Sequence, residues 1–348
     1  MRVNTKGPSP HLPITHEGAV AKRITPAQEL RRSVMACLLW EDTFYESGVS
    51  IADRIKALVA VAPPAEVEAI SREARGSMKL RHVPLLLVRE LARRRVNVAQ
   101  VLAEVIQRPD ELTEFLAIYW KDGKEPLSAS VKRGLATAFQ KFNAYSLAKY
   151  NRDEAVKLRD VLFLSHAKPK DAEQAAVWKQ LVDGTLAAPD TWEVALSGGA
   201  DKKATFTRLM QEGKLGALAL LRNLRNMQEA KVEPSVIKAA LAACQPDRVL
   251  PFRFVSAAKY APLYEPELER LMFQCLAERP KLPGKTVLLV DGSGSMFGPP
   301  VSRRSELDRF DAAAALAMLI REQCEDSAMI VFSNDARLIP ARRGFKAN

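Results

Sequence analysis

The stretch Lys285-Thr-Val-Leu-Leu-Val-Asp-Gly-Ser-Gly-Ser-Met296 decides the fold of the C-terminal part of this chain. Its first residues form a short, β-branched apolar run, which is typical of a buried parallel strand. The polar turn that follows therefore lies at the carboxyl end of that strand, where ligands bind in open α/β sheets. Two glycines ease a tight turn, so that Asp291, Ser293 and Ser295 aim three oxygens at one point. Oxygen ligands of this kind predict a Mg²⁺ site.

A helix and a second strand follow the turn. Apolar and small residues at helical spacing predict a helix over 307–324, and apolar residues predict strands over 327–333 and 336–339. An ordinary Gly/Ser turn without a ligand stays open as an alternative. A phosphate site is disfavoured, because the carboxylate of Asp291 would repel phosphate and no G-K-[ST] pattern follows.

The composition indicates a globular, basic chain. Its 348 residues are 47% hydrophobic, which suffices for two domains with a normal core. The sequence contains no run of 18 uncharged apolar residues, so it predicts no membrane-spanning helix. The formal net charge is +11 and the basic residues fall in clusters, which favours an anionic partner. The four cysteines are far apart without a C-x-x-C pair, and the N-terminus lacks the apolar region of a signal peptide. We therefore expect buried thiols and a cytoplasmic protein.

Residues 25–279 show a helical pattern almost throughout. Thr25 and Pro26 predict a helix start, as N-cap and first helical residue. Many amphipathic helices separated by prolines favour stacked helix pairs, in an α-solenoid or a ring, although the sequence shows no strict repeat period. The segment 280–285, rich in Pro, Gly and Lys, predicts a linker into the α/β part.

Four segments resemble known families. The stretch 160–169, DVLFLSHAKP, resembles the D-L-L-R-L-S-H-x-K-P signature of TROVE modules. The stretch 215–227 matches the L-x-x-L-L-R-N-L-x-x-M helix of that family, and 248–252 matches its R-I-H-P-F stretch, with Leu250 in place of His. The D-x-S-x-S turn at Asp291 resembles the first segment of the metal-ion-dependent adhesion site of von Willebrand factor A domains. A TROVE module followed by an A domain is the architecture of Ro proteins, and the resemblance runs from about residue 20 to residue 345.

This resemblance implies a mainly α fold, with a HEAT-like helical-repeat ring followed by an incomplete α/β, Rossmann-like A domain. It implies a flexible N-terminus over 1–22, a TROVE RNA-binding module over 23–282 and the N-terminal half of an A domain over 286–348. A complete A domain also needs a Thr and an Asp from two later loops, which the sequence up to Asn348 does not supply. A fragment, a broken gene and a half supplied from elsewhere are all open explanations, and the Mg²⁺ site lacks its later ligands.

The resemblance also implies a function. Ro proteins bind small structured non-coding RNAs, the Y RNAs, on a basic outer surface, and single-stranded 3′ ends of misfolded RNAs through a central hole. The implied partners are a Y RNA-like RNA, misfolded RNA 3′ ends and an exoribonuclease, for a monomer that acts in RNA stability or quality control. Helix-borne Lys and Arg would contact phosphates, and a histidine could stack on unpaired bases. The candidate RNA-binding residues are Lys132, Arg133, Lys149, His166, Lys168, Arg222 and Arg225.

Each candidate also has a structural alternative. His166 could be a helix-junction histidine hydrogen-bonded to backbone, Lys168 could lie in a solvated loop, and Arg222 and Arg225 could pair with neighbouring acids. The four histidines form no H-x-x-H pattern, and no G-x-S-x-G elbow is present, so the sequence predicts a protein that is not an enzyme. Two other functions stay open: a protein-interaction scaffold that binds a partner's acidic residue through Mg²⁺, and a partial product in which only the ring works.

Overall fold

The computed structural model describes residues 14, 18–37, 47–246, 249–277, 279–298, 300–301 and 307–340. These residues form 17 α-helices and a sheet of 3 strands. The predicted fold class, a mainly α chain that ends in a partial α/β unit, is confirmed. The chain divides into two compact units, Met1–Pro189 and Asp190–Asn348. Most of the segment 1–22 lies outside the described residues, and the predicted domain boundaries stay a prediction.

The first unit consists of helices in its described part. They are α1 (Pro26–Ala36), α2 (Gly48–Val61), α3 (Pro64–Gly76), α4 (Val83–Arg93), α5 (Ala99–Val105), α6 (Asp110–Tyr119), α7 (Ala129–Phe139), α8 (Ala144–Tyr150), α9 (Leu158–Ser165) and α10 (Ala172–Asp183). The predicted start of α1 is confirmed, because the Thr25 side chain accepts a hydrogen bond from the Gln28 N–H and Pro26 is the first helical residue. Helix α4 is buried nearly all round, so it forms the centre of this unit's core.

Charged side chains are buried next to that core. The Glu111 side chain is fully buried, and one of its carboxylate oxygens lies 2.6 Å from Nη2 of Arg75. Asp110, also buried, accepts hydrogen bonds from Arg81 and Arg108, the latter at 2.7 Å. These ion pairs join α3, the segment before α4 and the start of α6. Buried carboxylates need such partners, because desolvation of an unpaired charge costs several kcal/mol.

Helices α5 and α7 pack closely at Gly134. A Cβ atom built on this residue would lie 2.9 Å from the Ala99 carbonyl oxygen and 2.9 Å from Cβ of Leu102. We expect Gly134→Ala to lower the free energy of unfolding by about 1–3 kcal/mol, because α7 must move away from α5. Urea denaturation measures the change.

Gly76 provides the control for this substitution. It ends α3, and a Cβ built on it meets nothing within 4 Å. Gly76→Ala should therefore be neutral or stabilising by up to about 1 kcal/mol, since it only restricts the unfolded chain. Equal destabilisation by the two substitutions would contradict the close packing of α5 and α7.

The second unit holds seven helices and the sheet in its described residues. The helices are α11 (Trp192–Ser197), α12 (Lys202–Gln211), α13 (Ala217–Glu229), α14 (Pro234–Ala243), α15 (Phe252–Tyr260), α16 (Glu265–Ala277) and α17 (Arg309–Arg321), and the strands are β1 (Leu282–Asp291), β2 (Cys324–Phe332) and β3 (Ala336–Ile339). The core of this unit contains buried apolar residues from α12 to α17, among them Phe206, Phe254 and Met318.

The strands follow the sequence-based prediction with two differences. Strand β1 pairs parallel with β2 through the crossover helix α17, and β3 returns antiparallel to β2. The predicted helix over 307–324 is too long, because Asp308 caps the first turn of α17 and the chain is already in β2 at Cys324. Asp291 is the last residue of β1, so the prediction that it lies at the carboxyl end of this strand is confirmed.

One face of the sheet carries exposed apolar side chains that no described helix covers. Val290, at 5% exposure, faces the side on which buried residues of α17 lie, whereas Val287 and Leu289 on the opposite side are 52% and 66% exposed. Leu289 aligns across the sheet with Ile330 and Leu338, and Leu338 is 69% exposed. Parallel strands are usually covered on both faces. The three described strands thus form a partial α/β unit, and its assignment as the N-terminal half of an A domain stays a prediction.

None of the helices in the described part of the chain has both the length and the apolar character that a bilayer crossing requires. None of the four cysteines forms a disulfide in the described part of the chain; Cys37 and Cys324 are buried, and Cys244 and Cys275 are half-buried. The expected disulfide-free thiols are present, although two of them are less buried than predicted.

Candidate nucleic-acid interface

His166 ends helix α9 in an unusual backbone conformation. Its φ and ψ are 53° and 37°, the left-handed region in which non-glycine residues are uncommon. The backbone N–H of His166 donates to the Phe163 carbonyl oxygen at 3.2 Å, which closes the last helical turn. The side chain is exposed, and its imidazole has no hydrogen-bond partner among the described residues. The backbone thus fixes the residue while the ring stays accessible.

An exposed aromatic side chain precedes His166 by three residues. Leu158, Val161, Leu162 and Ser165 form the buried face of α9, and Phe163 lies on the outer face, 60% exposed. An exposed phenyl ring offers a flat apolar face on which another planar group can stack. Sequence reasoning missed Phe163, because an apolar residue within an apolar helix is normally assigned to the core.

Two glutamines hold the segment that carries Lys168. The Lys168 carbonyl oxygen accepts a hydrogen bond from Nε2 of Gln140 at 2.8 Å, and Nε2 of Gln174 donates to the Gln140 carbonyl oxygen at 2.9 Å. The end of α7 and the start of α10 therefore anchor this segment. The Lys168 ammonium is exposed and no carboxylate of the described residues lies within ion-pair distance. Phe163, His166 and Lys168 together form what we call the α9 platform.

Lys132 and Arg133 lie nearer the start of α7. Lys132 is half-buried and Arg133 exposed, and neither forms an ion pair with the described residues. Arg133 borders a groove of about 800 Å³ that also contains Glu68 and Glu104. Seven to eight helical residues separate the pair from Gln140, roughly 10 Å along the axis. The basic pair and the α9 platform thus lie at opposite ends of the same helix rather than at one point.

Lys149 lies in the last turn of α8. Its ammonium is 5.9 Å from the centre of the Tyr150 ring, and the Arg108 guanidinium carbon is 4.6 Å from the same ring. Burial raises the pKa of the Tyr150 hydroxyl, so this ring is neutral at physiological pH. Arg108 and Lys149 both lie close to the Tyr150 ring, so this ring is not a free stacking surface. Lys149 itself offers an exposed positive charge.

Arg222 and Arg225 lie on helix α13 of the second unit. Nε of Arg225 donates to Glu229 at 3.0 Å, so the alternative of pairing with a neighbouring acid is observed for this residue. Arg222 is exposed, with no carboxylate of the described residues within ion-pair distance. The neighbouring asparagines form hydrogen bonds within α13. Nδ2 of Asn223 donates to the Ala219 carbonyl oxygen at 2.9 Å, and Nδ2 of Asn226 donates to Oδ1 of Asn223 at 3.0 Å.

The predicted metal turn presents a single carboxylate. The N–H and the Oγ of Ser293 donate to Oδ1 of Asp291 at 2.8 and 2.5 Å, and these hydrogen bonds lower the pKa of Asp291. Ser295 is exposed, and its carbonyl oxygen lies 3.5 Å from Nη1 of Arg309. In the described ranges, no group of three His, Cys, Asp or Glu side chains is placed to hold a metal ion. The Mg²⁺ site at Asp291, Ser293 and Ser295 therefore stays a prediction, and it needs further ligands.

Gly292 serves the sheet rather than the turn. A Cβ atom on this residue would lie 2.9 Å from Cγ1 of Val331, and its N–H donates to the Phe332 carbonyl oxygen at 2.7 Å. Neither Gly292 nor Gly294 has a positive φ. The sequence-based explanation that Gly292 and Gly294 ease a tight turn does not include this contact, for which Gly292 allows the close approach of β2.

Comparison with known proteins supports the resemblance found in the sequence. Residues 184–261 match the family model of the TROVE domain. The crystal structure of the Deinococcus radiodurans Ro (RSR) protein superposes with a TM-score of 0.62 and 20% identity, over 93% of this chain and 79% of that chain. No curated protein matches the chain by sequence. The segments 215–227 and 248–252 fall inside the matched range and the segment 160–169 outside it.

Proposed function

We propose that this chain, a Ro-like protein with a TROVE domain match and the fold of a Ro protein, is an RNA-binding protein without catalytic activity. The observation that carries the proposal is the α9 platform. Its His166 side chain is exposed on a left-handed residue, Phe163 three positions earlier is 60% exposed, and Lys168 follows with no ion-pair partner among the described residues. A ring, an imidazole and an ammonium are the groups that recognise unpaired bases and their phosphates.

The charge of the chain supports an RNA partner. The net charge is +11, and Lys132, Arg133 and Lys168 are exposed or half-exposed cations without a carboxylate partner in the described part of the first unit. Cations that are not neutralised within the protein attract polyanions and release their counterions on binding. A protein partner would need a separate acidic side chain opposite each of these cations, whereas RNA carries a phosphate at every nucleotide.

The finer proposal follows the Ro relatives. We propose a small structured non-coding RNA, similar to a Y RNA, as the main partner, with the single-stranded 3′ ends of misfolded RNA as further ligands. The role would be RNA stability or quality control in the cytoplasm, as a monomer that can recruit an exoribonuclease. Neither the metal turn nor any catalytic group is required for this binding.

His166→Gly tests the proposed function. RNA recovered with the full chain from its native cells, and sequenced, supplies the ligand, and a high-salt wash should remove it. Glycine accepts the left-handed backbone of His166 without strain, so the substitution deletes the ring and keeps the fold. We expect the dissociation constant for this RNA to rise roughly 5- to 100-fold, as for loss of one stacked base. Fluorescence anisotropy at constant salt measures it.

Two variants serve as controls. Lys79 is also an exposed residue with positive φ, at 57°, so Lys79→Gly reproduces the backbone change away from the α9 platform. Asp291→Ala removes the carboxylate of the metal turn. Both should bind RNA as the unchanged chain does. Unaltered binding by His166→Gly, or an equal loss for Lys79→Gly, would refute the role of the platform.

A second candidate is a protein-interaction scaffold, which the exposed apolar face of the sheet favours. Val287, Leu289 and Leu338 form an exposed apolar strip of the kind that another polypeptide covers. In this case the recovery experiment would yield a specific protein without enriched RNA. Its binding would resist high salt, and with an occupied Mg²⁺ site it would depend on divalent cations.

A further inference from the structure

A cavity of about 380 Å³ lies between helices α13 and α15 of the second unit. Its volume falls in the range of small-ligand sites. Three guanidiniums line it: Arg222 and Arg225 from α13, and Arg253 from α15. The sequence motifs do not point to Arg253, because it follows the 248–252 stretch rather than belonging to it.

Among the described residues, the cavity lining contains three cations and no carboxylate. Three other cavities in the described part of the chain each contain at least two acidic side chains, for example Glu68 with Glu104 and Asp171 with Glu173. Neighbouring guanidiniums repel one another unless an anion lies between them. The α13–α15 cavity is therefore suited to an anionic ligand, whereas the acidic side chains of the other three disfavour one.

The guanidiniums differ in their availability. Arg225 is engaged by Glu229 at 3.0 Å, whereas Arg222 has no carboxylate of the described residues within ion-pair distance. The Arg253 guanidinium carbon lies 5.0 Å from the centre of the Phe252 ring, which restricts its position without neutralising its charge. Arg222 and Arg253, on facing helices, are thus the two cations that can share one phosphate.

The remaining wall of the cavity is mostly apolar and aromatic, with Asn226 and Ser256 as its polar residues. Leu218, Leu221, Leu224 and Ala257 line it together with Tyr260, and Leu218 is 43% exposed. Inorganic phosphate would gain nothing from such a wall. A ligand that carries a flat group next to its phosphate would cover Leu218 and gain the free energy of burying its exposed surface, whereas Leu221 and Leu224 are already buried.

We propose that the α13–α15 cavity binds one unpaired nucleotide of single-stranded RNA, with the phosphate between Arg222 and Arg253 and the nucleoside against Leu218 and Tyr260. The inference rests on the proposed RNA-binding function and adds a nucleotide site in the second unit. Each nucleotide has the required combination of a phosphate and a flat base, so this recognition does not depend on sequence.

Titration calorimetry of the full chain with AMP, adenosine and inorganic phosphate tests the proposal. We expect AMP to bind at least about tenfold more tightly than adenosine or phosphate. Only AMP has both a phosphate for the two arginines and a nucleoside for the opposite side of the cavity. Single-stranded tetrauridylate should displace AMP. Arg222→Gln combined with Arg253→Gln should weaken AMP binding at least about tenfold, and both residues are exposed, so the fold should persist.

The matched control removes two other charges from the second unit. Lys202 and Lys231 are exposed and lie outside the cavity lining, so Lys202→Gln with Lys231→Gln should leave AMP binding unchanged. Equal binding of AMP and phosphate, no AMP binding, or AMP that tetrauridylate cannot displace would each overturn the proposal. If the structured RNA recovered from cells still binds in those cases, the proposed function stands and only the nucleotide site fails.

Discussion

Glu111→Ala is expected to lower the free energy of unfolding by about 3–5 kcal/mol, because it leaves buried cations and backbone donors without their acceptor. The Glu111 side chain is fully buried. Its Oε1 lies 2.6 Å from Nη2 of Arg75, whose side chain is only 11% exposed. Its Oε2 accepts the N–H of Gln107 at 2.7 Å and that of Arg108 at 3.1 Å. Urea denaturation followed by circular dichroism measures the change.

The expected cost is large because one carboxylate serves three structural elements. Arg75 belongs to the last turn of α3, Gln107 and Arg108 lie between α5 and α6, and Glu111 itself is in the first turn of α6. Alanine would leave a nearly buried guanidinium and two N–H groups to be hydrated or exposed. Unsatisfied buried donors cost about 1–3 kcal/mol each, and more when they are charged.

Two further variants serve as controls for the loss of stability expected of Glu111→Ala. Glu229→Ala removes an ion pair with Arg225 in which both side chains are about 60% exposed, so it should change stability by less than about 1 kcal/mol. Glu111→Gln keeps the size of the side chain and one carbonyl acceptor, and it should fall between the two alanine variants. A loss below about 1 kcal/mol for Glu111→Ala would show that water replaces the carboxylate at low cost.

The fold was largely predictable because it depends on local periodicity. Apolar spacing of about 3.6 residues predicts the helices, and the short apolar run before Asp291 predicts β1 and the parallel partner that follows α17. The ends of the helices and strands were less predictable. Whether Cys324 ends a helix or begins a strand depends on the pairing of β2 with β1 rather than on the local sequence. The buried Arg75–Glu111 pair spans 36 positions, and no local pattern distinguishes it from an exposed pair.

The candidate site was predictable only in part. The family motifs point to His166 and Lys168, but the exposure of Phe163 depends on which face of α9 packs inward. The pairing of Arg225 with Glu229 has the i,i+4 spacing of helical ion pairs, so the sequence carried that signal. The cavity between α13 and α15 had no such signal, because Arg222 and Arg253 come from separate helices.

Lys132→Glu combined with Arg133→Glu is expected to weaken RNA binding at least about tenfold at moderate salt, because it reverses two cations that we place against phosphates. The logarithmic salt dependence of the affinity should also fall, by roughly 0.7 for each lost phosphate contact. Lys132 should contribute more than Arg133, since Arg133 borders the groove that contains Glu68 and Glu104. Anisotropy titrations over a range of salt concentrations measure both quantities.

A second double variant distinguishes the local effect of the α7 surface from the effect of the net charge of the chain. Lys79 and Arg95 are exposed residues of the first unit without an ion-pair partner in its described part, at the ends of α3 and α4. Lys79→Glu with Arg95→Glu changes the net charge by the same amount as the substitutions in α7. If α7 contacts the RNA, only its variant loses affinity by tenfold and has a smaller salt dependence. Equal losses would mean that long-range attraction by the whole basic chain, not the α7 surface, accounts for binding.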